Sequence, residues 1–398
     1  MNVSSSLMKV DVFVFILFLV FFSLSPLLGV AAICVFSPFF SKLELKIASI
    51  VIIIFSVLFY ATLQPFGDLS EYLHIYNNIN TIDIFHYTRF GKGIEFFILI
   101  LMKVVYFITQ GNQFAFLVSI YALIFTLLMI VCKKMTNEFY LLLFFCIFFS
   151  YGFVQANSYF IRQMISMLFV FMMIVEFNKK SIIYGFLSII SHTSAVIPIS
   201  LIVIINAKRF KKVLYLITPI LFIGLLTAYE LGFYHYIISK LINSNVSFSK
   251  LNISQIIIYN SQIVIIFILL YMFRHKINKE KNSLFLIFFG VISFLLFWVF
   301  INIPAMSNRF ALFMCAFPGL LLYPILSGNI NFKLKYVILI SIVLINLVPA
   351  LYLFYNVTLL GSDLNFMSFK PIRSNIFDLI ILIANRLTEE LPYLTQGN

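Results

Sequence analysis

Arg162 sits one turn inside an apolar stretch, "NSYFIRQMISMLFVFMMIVEF", residues 157–177. Centring a lone arginine in lipid costs about 3 kcal/mol on insertion scales, so its presence needs a reason. A guanidinium offers a planar fork of donors that matches phosphate and pyrophosphate oxygens. Gln163 beside it would hydrogen-bond a sugar or steady the guanidinium. Arg309 in "MSNRFALF" has the same character. Two such arginines would grip one pyrophosphate if the fold brings them together. The competing assignment is an arginine snorkelling to lipid headgroups, whose phosphates satisfy it without chemistry.

In "FGDLSEYLHIY" (66–76), Asp68, Tyr72 and Tyr76 are spaced i, i+4, i+8 and share one face of a helix. A carboxylate followed by two aromatic hydroxyls makes a sugar platform; a tyrosine belt at the membrane interface with a solvated aspartate fits the same spacing. His192 lies among Ser191, Thr193 and Ser194 in "SIISHTSAVIPIS". A polar cluster at a turn inside an apolar run lines a cavity, because bare backbone in lipid is excluded; a histidine that only holds the turn shut is the alternative. Glu230, in "ELGFYHYIISKLINSNVSFSKLNISQ", would cap a site or belong to a solvated loop. If an acceptor hydroxyl needs a general base, Asp68, Glu230 and His192 are the candidates, and no spacing decides among them.

The elements that must position these groups are membrane helices. The chain is 63% hydrophobic and 10% charged, against about 25% charged in soluble domains. Runs of roughly 20 apolar residues recur along it, as helices need to cross about 30 Å of hydrocarbon. A β-barrel would show alternating ten-residue segments instead. The net charge of +13 reflects basic loops between apolar runs, which is topology information rather than a nucleic-acid patch. Cys34, Cys132, Cys146 and Cys315 lie in or beside apolar runs with no metal spacing, so they are read as packing, and neither metal nor cofactor is expected.

The basic segments at Lys133–Lys134, Lys179–Lys180, "KRFKK" (208–212), "RHKINKEK" (274–281) and Lys333 with Lys335 belong in the cytoplasm. Single crossings at 10–32, 45–64, 113–132 and 139–155 agree with this. Two other apolar runs do not. The run 94–108 is short and carries Glu95 and Lys103, so it is read as interfacial. The run 182–206 has basic flanks at both ends, so it is read as a re-entrant hairpin turning near "SHTSA" (191–195), with Pro198 restricting Ile197. The expectation is a single all-α, polytopic membrane domain over 1–398. It has about ten transmembrane helices, an outer segment 65–112, the hairpin 182–206, an outer loop 230–255, an outer tail 355–398 and both termini outside. Residues 375–387 would form an amphipathic surface helix. Arg162 and Arg309 then lie at outer helix ends, against the positive-inside bias. Each hairpin arm, about 15 Å long, reaches only mid-bilayer, so His192 is expected well below a pyrophosphate at the outer headgroups.

The order "GD…Y…Y", "IRQ", "KK", "SHTSA" over roughly 45–210 resembles the EpsG-like branch of bacterial polysaccharide polymerases, relatives of the O-antigen and capsule polymerases called Wzy. The carboxyl-terminal half is similar only in helix count and the outer "NRF". Tyr159 stands where the family often has asparagine, and Ser191 where a bulky residue often precedes the histidine. The resemblance implies an inner-membrane glycosyltransferase. It would join undecaprenyl-pyrophosphate-linked oligosaccharide units at the outer leaflet, for O-antigen, capsule or exopolysaccharide. Membrane lipid and this carrier would be its partners, with no nucleic acid, and control of chain length calls for a regulator protein. No nucleotide sugar is needed, and the sequence has no Gly-rich phosphate loop and no DxD pair. A flippase for the same lipid-linked sugar, or a ligase or acyltransferase, would share this bulk composition.

Overall fold

The structure is a computed structural model. It describes residues 12–62, 68–87, 90, 93–176, 180–205, 253–303, 307, 309–310, 316–356 and 374–388. Glu230, most of the 230–255 loop and much of the 355–398 tail lie outside these residues. Among the described residues all regular structure is helical, in sixteen helices. Two compact units divide the chain: 1–195 with 331–398, and 196–330.

The first unit begins with a correction. The run 10–32 is not one helix but α1 (Val12–Leu24) and α2 (Pro26–Phe36). Pro26 opens α2 and Ser25 is extended (φ −147°, ψ 97°), as the residue before proline prefers. The two helices fold back on each other: Phe18 stacks on Phe36 with centroids 5.2 Å apart. At about 20 and 16 Å, each is shorter than the hydrocarbon layer.

α3 (Lys42–Ala61) starts with a capping box, Ser41 and Glu44 bonding each other's backbone N–H. α4 (Asp68–Asn77) carries the Asp68–Tyr72–Tyr76 spacing on a helix, as expected. α5 (Phe97–Thr109) has 13 residues, about 20 Å, which suits the interfacial reading of 94–108 better than a crossing. α6 (Gln113–Met135) is capped by Asn112, whose Oδ1 accepts from the Ala115 N–H at 2.8 Å.

The run 139–155 is the second correction. It is α7 (Tyr140–Phe148) and α8 (Tyr151–Tyr159), bent by 70°. Ser150 is the cause, since its hydroxyl accepts from the Phe153 N–H at 3.2 Å and so starts a new helix inside an apolar run. α9 (Ile161–Val175) and α10 (Lys180–Ser191) form an antiparallel pair locked by small polar residues. Ser166 Oγ donates to the Ser188 carbonyl at 3.0 Å, and Ser188 Oγ to the Ser166 carbonyl at 2.8 Å. The helix breaks after Ser191, with a 3₁₀ turn at Thr193–Ala195, where the turn of the 182–206 run was expected. Ile197 is nevertheless helical: α11 (Val196–Ile205) takes Pro198 into its first turn, where the missing N–H is not needed.

The second unit contains α11, α12 (Ile253–Met272), α13 (Lys281–Val299) and the short α14 (Tyr323–Leu326). Gly290 of α13 lies against Leu321 and Phe267, and Asn329 N–H donates to the Lys276 carbonyl at 2.8 Å. The chain returns to the first unit with α15 (Phe332–Asn356) and α16 (Ile376–Thr388). α16 is the expected amphipathic helix of the tail, with Phe377, Ile380, Ile381 and Leu387 exposed.

By length and composition, α3, α6 and α13 can each cross a membrane, and α7 with α8 would be a fourth if the bent pair is one span. Shorter apolar helices accompany them, the pattern of a multi-pass membrane protein. Within the first unit the basic segments gather at one end. Lys134 Nζ lies 2.7 Å from Glu176 Oε1, where α6 meets the α9–α10 turn. Tyr140 hydroxyl donates to the Leu45 carbonyl at 3.1 Å, near Lys42 and Lys46. Phe332, beside Lys333, packs on Phe139 at 4.8 Å. This is the end that the positive-inside bias assigns to the cytoplasm.

A Cβ on Gly29 would come 2.2 Å from the Phe22 Cα, whereas one on Gly185 would meet only Met173 Sδ at 3.5 Å. Gly29→Ala is expected to lower the thermal midpoint of the detergent-solubilised protein, by about 1–3 kcal/mol of overpacking. Gly185→Ala is expected to leave it in place. Equal midpoints for Gly29→Ala and wild type would contradict the α1–α2 contact.

Candidate active site around Arg162

The chain breaks at Phe160 (φ −137°, ψ 41°) between α8 and α9. Arg162 is therefore the second residue of α9, at the end away from the basic segments. A helix N-terminus is the positive end of the helix dipole and repels a cation, so an arginine there with only 18% of its side chain exposed needs an anion. Glu95, in the segment leading into α5, supplies it, with only 4% of its surface exposed. Arg162 Nη1 donates to Glu95 Oε2, and Arg162 Nε donates to the Tyr72 hydroxyl at 3.0 Å. The guanidinium carbon lies 4.0 Å from the centre of the Phe90 ring, within cation–π range. Phe90 in turn meets Tyr72 edge-on at 5.8 Å.

The other carboxylate oxygen reaches the histidine motif. Glu95 Oε1 accepts from the Thr193 backbone N–H at 2.9 Å and from Thr193 Oγ1 at 2.7 Å. His192 Nδ1 is 4.0 Å from the same oxygen. Four sequence-distant segments, from α4, the approach to α5, α9 and the turn after α10, thus meet around one carboxylate–guanidinium pair. This corrects the expectation that His192 lies far below Arg162. The α9–α10 pair explains it: α9 has 15 residues and α10 has 12, so α10 climbs back to nearly the level at which α9 began.

Burial alone would raise the Glu95 carboxyl. His192, Arg162 and the two Thr193 hydrogen bonds outweigh it and hold the group below the ordinary glutamate value. The Ser194 backbone N–H donates to His192 Nδ1 at 3.2 Å. The Ser194 hydroxyl also lies 2.8 Å from Nδ1.

The remaining candidates fall elsewhere. Tyr76 is buried, stacked on Phe116 at 4.6 Å, and its hydroxyl donates to the Asn112 carbonyl at 3.2 Å. Gln163 is buried in α9, and its Oε1 has no hydrogen-bond partner among the described residues. Asp68 opens α4, but its side chain lies outside the described residues, as does the whole of Glu230. Arg309 belongs to the second unit. Glu95, Thr193 and Phe90 were not singled out from the sequence. For Glu95 a signal existed: a lone carboxylate in one apolar run and a lone arginine in another are expected to pair.

The cluster can hold a guanidinium rigid and electrically balanced in an apolar setting, with a histidine beside it. That combination suits stabilising a phosphate or pyrophosphate leaving group. Among known families, a model described as the EpsG family matches residues 46–370, well over half of the chain. No curated protein and no solved structure matches.

Removing one partner of a buried ion pair costs about 3 kcal/mol or more. Glu95→Ala and Arg162→Ala are each expected to destabilise the solubilised protein by that order, and Glu95→Leu with Arg162→Met by much less. Additive losses in the double variant would show that the pair is not coupled. A depressed carboxyl stabilises fully above the ordinary value of 4.5, and that stability is lost as pH falls through the lower folded value. The drop in thermal midpoint on acidification below 4.5 is therefore expected to be smaller in Glu95→Gln than in wild type.

Proposed function

The chain belongs to the EpsG family, which is associated with exopolysaccharide biosynthesis, and from that premise we propose that it is a polysaccharide polymerase of the bacterial inner membrane. Its substrates are oligosaccharide repeat units on undecaprenyl pyrophosphate, met at the outer leaflet, and the product is O-antigen, capsule or another exopolysaccharide. The observation that carries this reading is the Arg162–Glu95–Thr193 cluster built on the buried Glu95, at the end of the first unit opposite its basic segments. The positive-inside bias, with the basic segments gathered at the other end, would put that end in the extracytoplasmic leaflet. A chain-length regulator protein remains the expected partner.

In the reaction the bond from the anomeric carbon of the growing chain to its pyrophosphate oxygen breaks. The electron pair stays on undecaprenyl pyrophosphate. A hydroxyl at the non-reducing end of the incoming unit forms the new bond, and its proton passes to a base. Arg162 stabilises the charge growing on the leaving oxygen, an interaction stronger in the transition state than before it. Arg309, in the second unit, is the second candidate for this role. Glu95 is a positioning residue: it orients Arg162 and balances its charge before substrate arrives. The acceptor's proton would pass to Asp68, Glu230 or His192. Tyr72 braces Arg162 and borders the sugar site.

Arg162→Ala protein is expected to join purified lipid-linked units at least about a hundredfold more slowly, the scale for loss of one transition-state donor. In cells the variant is expected to leave single repeat units on surface lipid. Joining at the wild-type rate would remove Arg162 from the reaction. Absence of any unit on surface lipid would point instead to a flippase, and long chains left on the carrier to a ligase.

A further inference from the structure

A second polar feature lies away from Arg162, where α4 ends, α5 turns into α6 and α16 passes over them. A cavity of about 350 Å³ opens there, walled by Asn77, Tyr106, Asn112, Gln113, Arg386 and Thr388 among others. Ligand sites start at about this size. We propose that this cavity is a second saccharide-binding site, which holds sugar rings of the substrate chain remote from the bond being made. The proposal deepens the polymerase reading and rests on it for the identity of the saccharide.

The argument is chemical. Sugar hydroxyls donate and accept at once, and so do the amides of asparagine and glutamine. Four such amides wall the cavity, at Asn77, Gln110, Asn112 and Gln113. They are held in place. Gln113 Nε2 donates to Asn77 Oδ1 at 3.0 Å, and Asn112 Nδ2 donates to the Leu387 carbonyl at 3.4 Å, tying α16 to the α5–α6 turn. That turn takes left-handed backbone at two successive residues, Gln110 (φ 53°) and Gly111 (φ 86°). A Cβ on Gly111 would come 3.0 Å from the Tyr106 ring, so the glycine lets an aromatic face lie against the turn. Among the described residues no lining residue is a carboxylate, and Arg386 adds one positive charge. That charge favours a saccharide bearing an acidic group over a basic one.

The position fits as well. Asn77 lies five residues beyond Tyr72 on α4, about 8 Å along the axis. Tyr76 links the two places, because its hydroxyl meets Thr109 Oγ1 and the Asn112 carbonyl, both at 3.2 Å. A chain whose end is at Arg162 would reach this cavity within a few sugar rings.

The test uses the full chain in lipid nanodiscs. The probe is a fluorescently labelled fragment released by partial hydrolysis of the exopolysaccharide from cells that make the protein. Wild type is expected to bind it saturably, with competition by unlabelled fragment and not by glycerol phosphate. Asn77→Ala, at an exposed position, and Arg386→Ala, at a half-buried one, are expected to weaken binding about tenfold, and Thr388→Trp to block it by filling the cavity. Wild-type affinity in all three variants, no binding by wild type, or competition by glycerol phosphate alone would each overturn the proposal. The last would mean a lipid-headgroup site. The polymerase reading fails separately: Arg162→Ala protein is expected to bind the fragment while joining nothing. Full joining by that variant would sink the polymerase and leave the cavity standing on its binding data.

Discussion

The first unit depends on one electrostatic constraint. Arg162 is placed where both its surroundings and the helix dipole oppose a cation, and it persists because Glu95 is buried beside it. An isolated charge of either sign at this depth would be driven to neutralise or to leave. Together, and with Thr193 and Tyr72 satisfying further lone pairs and protons, they form a closed set of hydrogen bonds. Such a set costs stability relative to apolar packing more often than it adds any. Its retention therefore argues for a task, and an aligned guanidinium is what a departing phosphate requires.

The set closes because the helices around it are short. A straight crossing at 139–155 would not give α8 its turn at Ser150, and a full-length partner for α9 would carry His192 past the level of Arg162. The α9–α10 pair avoids this through the reciprocal Ser166–Ser188 bonds, which fix the register of two helices whose faces are otherwise apolar. In lipid, where apolar faces gain nothing by meeting one another, small polar residues are the available means of setting such a register. The ion pair of Lys134 with Glu176 anchors the opposite end of the same pair of helices. It is a surface pair of modest worth, and it marks the end at which the basic loops gather.

Sequence reasoning reached much of this, unevenly. The helix carrying Asp68, Tyr72 and Tyr76, the break at "SHTSA", the brevity of 97–109 and the amphipathic helix of the tail were legible from spacing and run length. The break at Ser25 had its signal in Pro26, but the break at Ser150 was not legible, because a single serine inside an apolar run leaves mean hydropathy almost unchanged. Only the local bonding shows that the backbone starts a new helix there. Glu95 was legible as a charge, and served to disqualify a crossing, but its role was hidden. Sixty-seven positions separate it from Arg162, and nothing local to either residue names the other.

Composition and loop charge by themselves determined that this chain is helical and built for a membrane, and which end of each helix in the first unit is basic. These properties depend on transfer of side chains between water and lipid, which sums residue by residue along the sequence. The tertiary structure alone decided that Arg162, Glu95, Tyr72 and the His192 turn share one site, and that Tyr76 faces a different one. Those facts depend on how far each short helix climbs before it ends, and on which side chains then come within bonding distance. A pairing of that kind is a property of three-dimensional register, and no reading of separate segments contains it.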